Sequence, residues 1–486
     1  MTRRKKTVLV LLSIFPGLPL LLIAVALAIR GCDEPPPYDA DLKVQRLDIP
    51  DDQNAFTYFQ QAARKLNLPK PDAPLARQAQ DDKNEADEPQ NERQLYDETA
   101  RGERWDGPLV ERVLKDNAEA LALWEKGLAA PHYQAPEVKT FSDLAPHVLA
   151  DLGIANLVKL RACVAAKRGD FEGAFGDDLK LARFGYLMQA GKGCFFEYLV
   201  GIAIVKGMGF TALRDTLADS TVASARLRDL AAQLSKCPAD TGLADAFRNE
   251  YEIQLEFVGG IVNGKYTPST VKAHSFPAVR NMDPRVELLW GIVCPSVFKP
   301  QQTRRICAEI ARSRVANVGK LFKDMTPDDM TPCECPSWRA ALPGNPLGQL
   351  LCRNMLPDAY GALELKCCAN VELAATRLLL ALKAYKLEKG KLPATLAELV
   401  PEYLDSVPLD DYDGKPMRYN AAKRVVYSVG KNLADDGGSG TRAEHVAVKR
   451  KEAEAAGEKW TDEDQKGAEQ QFNEWDQPDA CFEIEF

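Results

Sequence analysis

The chain has 486 residues, 45% hydrophobic and 27% charged, with a formal net charge of −8, the composition of a folded globular protein rather than a disordered or collagen-like one. The acidic balance argues against a nucleic-acid partner, because a phosphate backbone is held mainly through clustered Lys and Arg. With four His in all and no Walker loop, HExxH or G-x-S-x-G, the usual catalytic signatures are missing too.

Thr7 to Ile29 is an uncharged run of 23 residues, which as a helix spans about 34 Å, enough to cross a bilayer core. Arg3, Arg4, Lys5 and Lys6 precede it, and Arg30 is followed by Asp33 and Glu34. The positive-inside rule therefore keeps the N-terminus in the cytoplasm and places the bulk of the chain outside, as a periplasmic or extracytoplasmic body on a bacterial inner membrane. Removing the +4 of the basic tail leaves −12 on the remainder, so the exported part is acidic. A cleaved signal peptide is an open alternative, against which the run exceeds the usual core of about 7–15 residues. So is a lipoprotein signal, since Ile29-Arg30-Gly31-Cys32 partly resembles a lipobox, from which Arg30 departs. All three readings leave the body on the outer side of a membrane.

Domains are expected at 1–30 (tail and anchor), 31–48 (linker), 49–364 (α-helical ectodomain) and 365–486 (a small α+β module). Pro35, Pro36 and Pro37 favour an extended linker that holds the body off the membrane. Ala55, Tyr58, Phe59, Ala62, Ala63 and Leu66 recur at helical spacing, predicting a helix over 51–66. Residues 67–104 are polar and carry too little apolar area to fold alone, the signature of a long loop or partly disordered insertion.

From Pro108 to Leu234 the pattern is helix after helix. Leu152–Arg168, Phe171–Ala190, Phe195–Leu217 and Val222–Leu234 read as four antiparallel helices on short turns, loosely resembling tetratricopeptide arrays without meeting the 34-residue consensus. An irregular bundle is the equal alternative. Helices near Leu243–Phe257 and Thr303–Phe322 are expected to continue the same domain.

The 12 Cys lie in a compartment that permits disulfides. Cys307, Cys333, Cys335, Cys352, Cys367 and Cys368 are candidates for pairing, with connectivity open, since their spacing does not match the paired C-x2-4-C of zinc sites. Cys163 and Cys194, on apolar helical faces, read as buried thiols.

Toward the C-terminus Val371, Ala375, Leu378, Leu382 and Tyr385 mark one face of a helix over 365–389, stopped by Gly390 and Pro393. Thr395 and Glu398 form a capping box. The period then changes to two: 417–420 and 424–429 read as a hairpin, and Phe482, Ile484 and Phe486 as a terminal strand with one apolar face.

Ala384-Tyr385-Lys386-Leu387-Glu388-Lys389-Gly390-Lys391-Leu392-Pro393, Leu399-Val400-Pro401-Glu402-Tyr403-Leu404, the run Pro408 to Tyr419, and Tyr427-Ser428-Val429-Gly430 together resemble the C-terminal domain of type II secretion major pseudopilins (protein G-like). The architecture as a whole is similar to a class of membrane-anchored envelope proteins of planctomycete-type bacteria, a likeness that implies no activity. The resemblance implies a long helix on an antiparallel sheet and a calcium ion in the loop after the hairpin. Asp435 and Asp436, with Asp476 or Asp479 as the later acidic ligand, would correspond to that site; a solvated turn is the alternative. Residues 441–475, rich in Lys, Glu and Ala, interrupt the family pattern. The chain also departs from a pilus subunit in having no prepilin peptidase site before the apolar run, and hundreds of residues between that run and the pilin-like helix.

No carboxylate pair stands out, and His132, His147 and His274, like Phe195, Phe196, Tyr198 and Trp290, read as structural residues. The expectation is therefore a single-span envelope protein acting through protein partners rather than catalysis. An accessory of a type II secretion or pilus-like system and a carboxylate-dependent envelope hydrolase are the alternatives.

Overall fold

The computed structural model describes residues 33–70, 91–140, 147–237, 242–266, 298–326, 345, 348, 352, 359–456 and 459–486. The expected anchor, Cys32, His274, Trp290, Cys294, Cys333 and Cys335 lie outside them. The described chain is mainly helical with one small antiparallel sheet.

The N-terminal helices are α1 (Ala55–Lys65), α2 (Glu92–Arg101), α3 (Gly107–Asp116), α4 (Ala118–Leu128), α5 (Val148–Lys167) and α6 (Phe171–Ala190). After these come α7 (Phe195–Ala203), which runs through a wide π-helical turn at Ile204–Phe210 into α8 (Thr211–Asp219), then α9 (Ser224–Leu234), α10 (Leu243–Val262) and α11 (Pro300–Asn317). The C-terminal part holds α12 (Ala359–Lys389), β1 (Arg418–Asn420), β2 (Val425–Ser428), α13 (Arg442–Ala455), α14 (Asp462–Gln471) and β3 (Ala480–Glu483).

Local chemistry sets the boundaries. At the α5–α6 corner Gly169 takes φ +79° and the Asp170 N–H bonds the Ala165 carbonyl, a left-handed stop that suits glycine. Asp170 then starts α6, its carboxylate accepting from the Gly173 N–H at 2.9 Å, so stop and start occupy three residues. Gly185 and Gly201 let α6 and α7 touch backbone to backbone: a Cβ on either would meet the other's carbonyl oxygen within 2.8 Å.

Two large cores share α6. Phe59, Trp124, Leu157, Leu181, Phe184 and Met188 belong to the first, whereas Phe175, Ala182 and Tyr186 face the second with Phe210, Leu230, Phe247, most of α12, Tyr412 and Phe482. A helix apolar on opposite faces is one buried on both. The joined helix Phe195–Asp219 is long and apolar enough to cross a membrane, yet it is mostly buried between these cores.

Three expectations need correction, and one open choice is settled. The boundary at 364/365 divides no core, because α12 packs on α9 as well as on β2 and the second core runs from Phe175 to Ile484. The polar stretch 67–104 is not wholly loop: Asn91 caps α2, accepting from the Gln94 N–H at 2.9 Å, and Leu95, Tyr96, Thr99 and Ala100 bury one stripe. Average polarity hid that stripe. Residues 33–48 are not a free spacer either. Asp33 accepts from the Gln301 and Gln302 N–H groups at the start of α11, Arg312 holds Asp41 at 2.7 Å, and Leu42 is buried. Finally, α9 pairs with α12 rather than stacking on α8, so the helices form an irregular bundle and not a regular repeat.

The sheet has order β1-β2-β3, both pairs antiparallel, with Tyr419 opposite Val426 and Val426 opposite Phe482. It packs its Val426–Phe482 face on α12, the expected helix-on-sheet arrangement. The hairpin and the Thr395–Glu398 capping box fall where expected. The helix starts six residues earlier than its apolar stripe suggested, and β3 spans Ala480–Glu483, its Ala480, Cys481 and Phe482 all buried. The insertion 441–475 folds as α13 and α14, packed on each other and started by capping boxes at Thr441/Glu444 and Thr461/Asp464.

Candidate functional site

The four aspartates expected to bind calcium are only partly brought together. Asp435, Asp436 and Asp479 meet at the loop 433–440. Asp479, buried, takes the Gly438 and Ser439 N–H groups at 2.9 and 3.1 Å and the Asp436 N–H at 3.4 Å. Burial pushes its carboxyl above the ordinary value while those N–H groups oppose the rise. Asp435 accepts from the Tyr427 hydroxyl, the Gly437 N–H and Arg418 Nε at 3.0, 3.1 and 3.2 Å; partial burial works against its charge, and these three donors together hold its pKa below the usual carboxylate range. Asp436 takes the Asn432 amide, and Asp476, in the turn 474–476, takes the Asn473 amide. Calcium needs about six to eight oxygens. Here the loop carboxylates are already filled by N–H, O–H and guanidinium donors, and among the described residues no group of three or more His, Cys, Asp or Glu is placed to hold a metal. In this arrangement the carboxylates face protein donors rather than one another, as suits a loop tied to its own backbone.

Arg418 organises the rest of the module. It reaches Asp410 at 3.0 Å, Asp413 at 2.5 Å and Asp435 at 3.2 Å. Asp410 also accepts from Tyr412 N, Ser428 Oγ and Val429 N, so the Pro408–Gly414 segment is clamped to the end of β2.

A cleft of about 190 Å³ opens where the helical body, the C-terminal sheet and the insertion meet. Its walls carry Arg214 and Asp215 from α8, Arg442 from the start of α13, and Phe472, Phe482 and Glu485 from the chain's end. Ligand sites favour such junctions. Arg214 is fixed from behind: it bonds Glu372 and Thr376 on α12, each at 3.2 Å, and lies 5.3 Å from the Phe482 ring centre. Glu372 has no exposed surface and also meets Lys206 at 3.4 Å and Trp475 Nε1 at 3.3 Å. Lys206 and Arg214 stand eight residues apart, which in a regular α-helix turns them roughly 80° away from each other. The wide π turn between them takes up much of that divergence, letting both point at Glu372. Arg442 covers Phe472, and its backbone N–H bonds Glu483 at 2.8 Å. Partial desolvation by the cleft walls shifts the Asp215 carboxyl pKa upward, with Arg214 and Lys159 pulling it back and Glu485 adding to the rise, while the side chain itself stays exposed to solvent.

A second polar group is sealed inside the first core. Tyr133 donates to Glu197 at 2.7 Å, and His147 Nε2 lies 3.5 Å from the same oxygen. Burial works to discharge His147, but the Glu197 carboxylate and Asp151 outweigh it and raise its pKa. Asp151, stripped of water, is pushed up to about 7, with His147 lowering and Glu197 raising it. His147 is thus a buried structural residue, edge-on to Phe56 at 5.0 Å. Phe195 and Tyr198 are core residues too, whereas Phe196 is exposed.

Sequence reading passed over Arg214, Asp215, Glu372 and Arg442. No motif marks them, because the cleft is assembled from segments more than 200 residues apart in the chain. The one signal at hand was Glu372 itself, a carboxylate on an otherwise apolar helical face, which demands a buried cation. Compared with known proteins, the chain matches no family model, and no curated protein or solved structure is significantly similar to it.

Proposed function

We propose that this is a single-span envelope protein whose outward-facing body works by binding other envelope proteins through the cleft between α8, α13 and the chain's end. The observation that supports this reading is the use made of α12. Its residues from Ala359 to Tyr385 are largely buried between α9, the π turn and the sheet, so the helix that would pack against neighbours in a pilus is already covered by its own chain. What is left open is the cleft, which presents two arginines, several carboxylates and aromatic edges.

Proximity labelling in cells from the C-terminus, with an Arg442→Glu variant alongside, tests it. Recovery of a defined set of envelope proteins that the variant loses is the expected result. Recovery of secretion or pilus components would instead support an accessory of such a system.

A second reading, a carboxylate-dependent hydrolase, is favoured by one observation: Asp215, with a raised pKa, shares the cleft with Glu485. A general acid needs a raised pKa and a partnering carboxylate. Turnover of glycans or peptides by the purified chain, abolished by Asp215→Asn, would replace the first reading with this one.

A further inference from the structure

Cys307 on α11 and Cys352 bring their sulfurs to 3.3 Å. Both thiols are buried, 3% and 1% exposed, in a small apolar cluster with Leu42, Tyr251, Ile310 and Ala311. Two sulfurs in ordinary contact stand further apart than this, and a disulfide closes at about 2.05 Å.

The placement does not rest on the sulfurs alone. Asn345 donates to the Lys299 carbonyl at 3.0 Å and to Thr303 Oγ1 at 2.8 Å, and accepts from the Gly348 N–H at 3.2 Å. Asn345, with Gly348 bonded to it, is thereby pinned to the first turn of α11, one turn before Cys307. The other cysteines of the set have different neighbours. Cys368 meets the Tyr412 hydroxyl at 3.2 Å, and Cys367, adjacent to it on α12, is buried in the second core.

We propose that Cys307 and Cys352 are a disulfide-forming pair that locks the chain ahead of α12 onto α11. The proposal takes its oxidant, a small-molecule or protein disulfide, from the outward location argued above. A thiolate of the pair attacks the oxidant's S–S bond, forming a mixed disulfide and releasing one thiolate. The second cysteine attacks the cysteine sulfur of that mixed disulfide, forming the Cys307–Cys352 bond and releasing the second thiolate. Two protein thiols are oxidised, one disulfide is reduced to two thiols, and the two protons pass to the leaving thiolates. The neighbouring Cys352 sulfur and burial disfavour the Cys307 thiolate once the chain is folded. The closed loop spans 45 residues, and the chain-entropy effect of such a loop corresponds to a Tm rise of about 4 °C for a protein of this size.

The test uses the full chain. Membranes are acid-quenched, alkylated and digested without reductant, and purified chain is unfolded, reduced and refolded with glutathione disulfide in parallel. Mass spectrometry is expected to find one cross-linked peptide joining Cys307 to Cys352 in both samples. Reductant should lower the Tm of the refolded protein by about 4 °C; Cys307→Ser and Cys307→Ala should remove both the cross-link and that sensitivity. Alkylation of both thiols in the refolded chain, or linkage of either to Cys333 or Cys335, overturns the pair. A cross-link in the refolded chain with free thiols in membranes upholds the pair and overturns the outward location.

Discussion

Replacing Glu372 by Met takes away the buried carboxylate that faces Arg214 and Lys206 and accepts from Trp475. The side chain has no exposed surface, whereas those of Arg214 and Lys206 are 16% and 24% exposed, so the Arg214 pair carries most of the effect and the longer, wetter Lys206 contact is screened. Breaking a buried pair by removing one partner costs about 3–5 kcal/mol, because the other charge stays behind without compensation. Arg214 retains an edge toward the cleft and Thr376 as an acceptor, which places Glu372→Met at the lower end, about 3 kcal/mol. Arg214→Met should cost about as much, by stranding Glu372. Removing both should cost clearly less than the sum of the two, with a coupling of about 2 kcal/mol. Urea unfolding followed by tryptophan fluorescence and by far-ultraviolet circular dichroism measures all three variants. Coincident transitions are expected, since α12 belongs to the shared core. Single variants costing under about 1 kcal/mol, or a double variant that simply adds, would refute the claim that this network joins body and module.

Asp151 gives a pH prediction: its native pKa is about 7 against an ordinary 3.8, so between those values the native state holds a proton that the unfolded state has released. Raising the pH through that window should therefore lower stability, by on the order of 3 kcal/mol for this group, and wild type minus Asp151→Asn, measured by urea unfolding from pH 4 to 7, should show that slope; a flat difference would contradict it. Lys383 donates to the carbonyls of Leu217, Ala218 and Ser220 at the end of α8. Lys383→Met takes this donor from all three, leaving the Leu217 carbonyl only the Ser220 N–H and hydroxyl, at a cost of about 2 kcal/mol, and hydrogen exchange should quicken in the last turn of α8 if this cap matters. Millimolar calcium should leave the Tm unchanged, because the loop carboxylates are occupied by protein donors; a rise of several degrees that Asp479→Ala abolishes would restore the ion to the loop.

Elements with a strong local signal were legible in the sequence. The Arg168-Gly169-Asp170 corner, the Gly390 stop and the Thr395–Glu398 box each depend on neighbours a few residues away, and each appears as read. The period change into β1 and β2 was equally local. What escaped is what depends on distant partners. Helix α2 lies in a stretch polar on average, and its apolar stripe declares itself only against α5. Leu42 and Asp33 looked like parts of a free linker because their partners, Tyr251 and α11, lie more than 200 residues further on. The aspartates of the 433–440 loop were found, but their role was carried over from a resemblance; the donors they meet, Arg418 and the glycine N–H groups, come from chain neighbours and from strands that no local pattern pairs with the loop. The cleft has no sequence signature, being drawn from α8, α13 and the chain's end.

The covering of α12 also bears on how such a chain can be inherited. A domain that keeps its hydrophobic helix to itself can be cut from one gene and joined to another with little damage at the seam. Here Leu378 and Leu382 of that helix share a cluster with Leu227 and Leu230 of α9, so excising the C-terminal part would leave raw apolar surface on both pieces. Substitutions on either side of that seam therefore have to answer to the same shared core.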